Sequence, residues 1–135
     1  MTAMTQDRNT PARDGRDFQF PVAASVKIYA GAMVAVTSAG YATKGQTATA
    51  LKAVGVAQAL ADNATGAAGA VHVKVRRGCY RLANSTSTDQ ISLADVGSDC
   101  YMVDDQTVAK TSGSNTRSVA GTVRDVDASG VWVEF

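Results

Sequence analysis

Gly31-Ala-Met-Val-Ala-Val-Thr-Ser-Ala-Gly-Tyr-Ala-Thr-Lys44 is answered, 66 positions later, by Gly97-Ser-Asp-Cys-Tyr-Met-Val-Asp-Asp-Gln-Thr-Val-Ala-Lys110. At that offset and without a gap, Gly31 meets Gly97, Val36 meets Met102 and Lys44 meets Lys110. The match resumes as Ala53-Val-Gly-Val56 against Val119-Ala-Gly-Thr122, so that Gly55 meets Gly121. What repeats is glycines and strand alternation, with no reactive side chain among them. The expectation is a duplicated scaffold, with half-repeats over 28–76 and 94–135.

Each copy reads as a hairpin: a short β-prone run, a turn of small or polar residues, and a second short run. Between the copies, Val71-His-Val-Lys-Val-Arg76 alternates strictly, three valines to one side and His72, Lys74 and Arg76 to the other. The final run, Val131-Trp-Val-Glu-Phe135, does the same with Val131, Val133 and Phe135. Residues 62–69, 84–89 and 111–116 are small and polar and are expected as loops. Residues 47–52 read as a helical turn or a loop, and Ile91–Val96 as a short helix or 3₁₀ turn ended by Gly97. Frequent short strands separated by turn signals predict an all-β fold. The expected form is a compact β-barrel or β-sandwich of short antiparallel strands with at most one or two short helices.

Composition agrees. Val and Thr are frequent while Leu and aromatic residues are few, which favours strands over packed helices. The 135 residues suit one domain with a real core. Thirteen Lys and Arg nearly balance twelve Asp and Glu, so no global field draws the chain to nucleic acid or to an anionic membrane. No apolar run reaches the roughly 18 residues of a membrane span. The first residues lack the apolar core of a signal peptide, from which synthesis and residence in a reducing cytoplasm are expected. Cys79 and Cys100 have no C-x-x-C spacing and read as two small hydrophobes.

Residues 1–20 are expected to form a flexible N-terminal arm, because 1–17 hold too little apolar area to offset the entropy of ordering. Residues 21–135 then form a single β domain. Arg8, Arg13 and Arg16 stand among Asp7, Asp14 and Asp17, and Phe18 and Phe20 follow at strand spacing before Pro21. These five residues are the candidate contacts with a partner or with another subunit. The alternative for the two phenylalanines is a first strand that covers the domain's own core.

Signs of catalysis are few. His72 has cationic neighbours on its strand face and no carboxylate in sequence to orient its ring. Asp104-Asp105 and Asp125 with Asp127 sit at expected hairpin turns, where Asp caps backbone amides, and they lack the distal ligands of a calcium loop. No phosphate-binding glycine loop, nucleophile elbow or zinc motif occurs. Neither an enzyme nor a cofactor is expected. Lys74, Arg76, Arg77, Tyr80 and Arg81 leave open a small single-stranded nucleic-acid barrel.

The run Ala94–Lys110, followed by Arg117-Ser-Val-Ala-Gly-Thr-Val-Arg-Asp-Val-Asp-Ala-Ser-Gly-Val-Trp-Val-Glu134, resembles the small capsid cement or decoration proteins of tailed, Mu-like bacteriophages. The block from Ala30 to Ala57 is similar to their N-terminal half. The resemblance covers about residues 20–135 and carries no catalytic motif. It implies a non-enzymatic virion protein made in the host bacterial cytoplasm. Such a protein sits on the outer capsid surface and bridges neighbouring copies of the major capsid protein, as a homotrimer. Neither membrane nor direct nucleic-acid binding is expected of it. A head–tail or tail structural component is the nearest alternative.

Overall fold

The computed structural model describes residues 2–135, and the regular secondary structure among them is nearly all strand. In order come β1 (Asp17–Pro21), β2 (Val26–Ile28), β3 (Met33–Val36), β4 (Ala42–Lys44), β5 (Lys52–Ala57) and β6 (Ala61–Asn63). They are followed by β7 (His72–Arg76), β8 (Cys79–Asn84), β9 (Asp99–Met102), β10 (Thr107–Ala109), β11 (Val119–Asp127) and β12 (Gly130–Glu134). Two single 3₁₀ turns, Ser87–Asp89 and Leu93–Asp95, lie between β8 and β9.

The last five strands close into a barrel in the order β10-β8-β12-β11-β9, and five of the first seven form a sheet in the order β1-β7-β5-β3-β4. These two orders are the same order. The pairing Met33↔Val56 and Val34↔Gly55 recurs as Asp99↔Thr122 and Cys100↔Gly121, each with the bulge at the same place. Ala35↔Thr43 recurs as Tyr101↔Ala109. Val56↔Arg76 and Ala57↔Val75 recur as Thr122↔Glu134 and Val123↔Val133. Phe18↔Val75 and Phe20↔Val73 recur as Tyr80↔Val133 and Leu82↔Val131.

Hydrogen bonds outside the ladders repeat too. Gly31 N donates to Ala57 O at 2.8 Å, and Gly97 N donates to Val123 O at 2.8 Å. Thr37 N to Tyr41 O recurs as Val103 N to Thr107 O. The molecule is therefore a tandem of two five-stranded units. Each unit begins one strand earlier than residues 28 and 94, because β1 and β8 pair across the β7 and β12 edges and carry no glycine signature of their own. The spacing between equivalent strands falls from 66 for β5 and β11 to 58 for β7 and β12. The first unit thus carries eight extra residues there, and β6 is built in that segment.

The seams that join the ends of each sheet are parallel, a pairing absent from the expected antiparallel pattern. Each links the first and third strands of its own sheet in chain order, which are not hairpin neighbours. In the second unit Thr107↔Ala83 and Val108↔Asn84 close the barrel. In the first, only the bridge Val22↔Ala42 remains. Ala83 N donates to Gln106 O at 2.8 Å. The position equivalent to Ala83 is Pro21, whose ring nitrogen has no hydrogen to donate.

Two cores result. One fills the closed barrel with Leu82, Cys100, Met102, Val108, Ala120, Val123, Val131 and Val133, and Ile91 closes it. The other lies inside the first unit, with Val22, Ile28, Val34, Ala42, Val73 and Val75. β3 separates the two: Met33 and Ala35 face the first of these cores, and Val34 faces the other. A strand buried on both faces reads as an unbroken apolar run, which is what Met33-Val-Ala-Val36 is. Met33 N donates to Asp105 O at 2.8 Å, and the buried Ser118 hydroxyl donates to Ala48 O at 2.7 Å, so polar bonds also join the units.

Three expectations need correction. The arm does not extend to residue 20: β1 begins at Asp17, because its backbone pairs with β7 from Arg76 to His72. Residues 62–69 are not all loop, since β6 pairs with β2 through Val26↔Asn63. Asn63 is buried, and its amide nitrogen donates to the carbonyls of Val22, Ala23 and Ala67 at 3.3, 3.0 and 2.9 Å, so a polar side chain organises a segment that lacks large apolar ones. Asn84 likewise belongs to β8, and its side chain both accepts from Ile91 N and donates to Ile91 O.

Candidate functional site

Residues 2–16 carry no regular secondary structure, and every one is exposed. Met1 lies outside the described residues. The segment meets the body at β1, and this junction gathers the candidate contacts. Arg13 lays its guanidinium over the Phe18 ring, 4.6 Å from the centroid. Phe18 and Phe20 stack at 6.3 Å, and Phe20 packs on the core of the first unit. Both phenylalanines are half-buried, so they are lodged in their own domain rather than held out as free anchors. Period-2 alternation puts both on one face of β1, the face that covers the core. Arg16 pairs with Asp14 at 3.5 Å, while Arg8 touches only Thr10 and stands well away from the junction along the chain. Of the five candidates, then, the structure brings together Arg13, Phe18 and Phe20.

On the other face of the same strand pair lies an open groove lined by Arg13, Asp17, Gln19, Gln58, Lys74 and Arg76, with Phe18 and Val75 at its side. Arg76 Nε donates to Asp17 Oδ1 at 2.8 Å, and this hydrogen bond holds the Asp17 carboxyl below its ordinary value. Lys74 lies between Gln19, its register partner, and Gln58, whose backbone N–H donates to Lys74 O. Lys74, Gln19 and Gln58 were missed as a group in the sequence. The outward side of the alternation in Val71–Arg76 was their one signal, and nothing local placed β1 and β5 on either side of it.

The remaining basic residues scatter. Arg81 sits across from Trp132 with its guanidinium 6.0 Å from the ring. Tyr80 tilts against Phe135 at 6.3 Å. Arg124 pairs with Glu134 at 2.6 Å. Lys74, Arg76, Arg77, Tyr80 and Arg81 thus divide between two units instead of forming one stripe.

His72 is exposed at the end of β7 opposite Pro21. The turn carboxylates cap backbone amides: Asp127 accepts from Ser129 N at 2.7 Å, from Gly130 N and from the Trp132 indole, and Asp104 accepts from Gln106 N. Among the described residues no three His, Cys, Asp or Glu side chains gather into a metal-binding group, and no helix is long and apolar enough to cross a membrane. Cys79 is exposed and Cys100 buried, and both are free thiols; burial pushes the Cys100 thiol up to about 11.

Comparison with protein-family models, with curated proteins and with solved structures found no match.

Proposed function

We propose that this chain is a structural virion protein that binds the outer surface of a bacteriophage capsid and bridges neighbouring major capsid subunits. It acts there as a homotrimer. The observation that carries the reading is the exposed segment 2–16. It holds Arg8, Arg13 and Arg16, makes almost no contacts of its own and is anchored to a body built from a five-stranded sheet and a closed five-stranded barrel. A chain of this composition gains by ordering against another surface, and Arg side chains pair with acidic groups there. The resemblance of residues 94–134 to capsid decoration proteins points the same way.

Deleting residues 2–16 removes the segment and leaves every strand in place. The truncated protein should unfold within about 2 °C of the intact one. Its co-sedimentation with expanded capsids should weaken at least tenfold. Unchanged capsid binding by a folded truncation would refute the role given to the segment.

A further inference from the structure

We infer that the open edge of β1, with the cationic groove beside it, is a docking site for an extended acidic segment of a partner protein, which adds to the sheet as a further strand. The inference rests on the chain's being a protein-binding protein but not on the capsid as partner.

The backbone supplies the first part. Arg16 O accepts from Arg77 N, Val22 N donates to Val71 O, and the register sets Phe18 against Val75 and Phe20 against Val73. Residues 16, 18, 20 and 22 therefore exchange hydrogen bonds with β7. Asp17 and Gln19 turn their N–H and C=O groups the other way. β1 is the last strand of its sheet, and among the described residues no strand lies beyond Asp17 and Gln19. Past them, Pro21 denies the seam the hydrogen bond that Ala83 makes in the second unit. Beyond it Val22 bridges to Ala42 of β4, and Ala23 N donates to Ala42 O at 2.9 Å. An exposed row of paired donors and acceptors is what an added strand uses.

Charge selects the occupant. Arg13, Lys74 and Arg76 line the groove against one carboxylate, Asp17, which leaves an excess of two positive charges. Gln19 and Gln58 add side-chain amides that donate to carboxylates. An extended segment with acidic residues at alternate positions would place each carboxylate over the groove while its backbone pairs with Gln19. A nucleic-acid strand is favoured less. Its bases need uncovered aromatic faces, and Phe18 is capped by Arg13.

The test uses the full-length protein and a fluorescein-labelled hexapeptide, Asp-Val-Asp-Val-Asp-Val, with Lys-Val-Lys-Val-Lys-Val as the comparison. The acidic peptide should bind at least tenfold tighter at 0.05 M salt, on the order of the effect of two unscreened charge pairs. Arg13→Glu and Lys74→Glu should each weaken it at least fivefold, and Lys44→Glu, on the far edge strand, should change it less than twofold. Amide exchange read by NMR should slow at Gln19 on saturation. The inference is overturned if both peptides bind alike, or if Gln19 exchange is unchanged at saturation. It is also overturned if oligo(dT) displaces the acidic peptide at lower concentration than unlabelled peptide does. Because no capsid enters the assay, failure here and failure of capsid binding are separate results.

Discussion

Substituting Gly121 by alanine should cost this protein far more than adding one methyl group ordinarily does. A Cβ there would stand 2.3 Å from Glu134 O and 2.9 Å from Val133 Cγ1. Real Cβ atoms essentially never come closer than 3.0 Å, so the β11–β12 ladder must open by about 0.7 Å or β11 must rotate within its bulge. The obstructing atom is backbone and cannot swing aside as a side-chain tip would. Forced shifts of this kind cost about 1–3 kcal/mol. Weakening the Thr122–Glu134 pair adds about 1 kcal/mol for each hydrogen bond impaired. A loss of about 3 kcal/mol lowers the melting temperature of a chain this long by about 10 °C. Gly55 is the same position in the first unit, with its Cβ 2.5 Å from Arg76 O and 2.9 Å from Val75 Cγ1, and its φ of +139° adds backbone strain. Gly55→Ala should therefore match or exceed the loss at Gly121. Gly15→Ala, with nothing within 4 Å and an exposed position, serves as the control and should shift the midpoint by less than 1 °C. Thermal unfolding followed by circular dichroism reads all three. If Gly121→Ala unfolds within 2 °C of the parent, the close approach at the repeated bulge is not as described, and the equivalence of the two units loses its best support.

Three further outcomes follow from single networks. Asn63→Ala removes the side-chain donor that joins the buried Val22 carbonyl to the part-buried carbonyls of Ala23 and Ala67 and should lower stability in a urea titration by about 1–3 kcal/mol, whereas a loss under about 0.5 kcal/mol would mean that water replaces the amide. Asp89 accepts from the Thr111 hydroxyl and from Arg117 Nη1, and these bonds lower its folded pKa below 3.8. Its contribution is therefore present above that value and lost as pH falls below it. Asp89→Asn should lower the melting temperature at pH 6, and its gap from the parent should narrow as pH falls below 3.8; a gap independent of pH would contradict this. A thiol reagent at pH 8 should label one cysteine per native chain, the exposed Cys79. Cys100, whose thiol is held up near 11 in the barrel core, should react only on unfolding, and two labels per folded chain would count against its burial.

The fold class was legible because its signals are local. Alternation in Val71–Arg76 and Val131–Phe135, and turn residues between short runs, need no knowledge of the rest of the chain. The 66-position repeat was legible for a different reason. The close approaches at Gly55 and Gly121 exclude any side chain, so the same residue is demanded twice. The first strand of each unit left no such trace. β1 and β8 resemble each other only as Phe18 with Tyr80 and Phe20 with Leu82, pairs that any edge strand over a core would accept. The arm was for that reason carried four residues too far.

The candidate site was hidden by the same logic carried one step further. Its cations lie on the outward side of β7, where any polar residue satisfies the pattern, and their meaning depends on which strands flank them. That is settled by a long-range pairing in which β7 sits between β1 and β5. A solvated row of Lys and Arg becomes a groove only when a strand edge beside it lies open. This edge lies open because β1 ends its sheet at Asp17 and Gln19, and just beyond them Pro21 lacks the N–H that Ala83 donates to Gln106 O in the second unit. The two units thus diverge at their seams by one hydrogen bond, with proline in place of Ala83, and more widely in the side chains set along the outer strand edge. Both enclose a core, but only the first sets the cations of the neighbouring strand β7, Lys74 and Arg76, beside an unpaired strand edge.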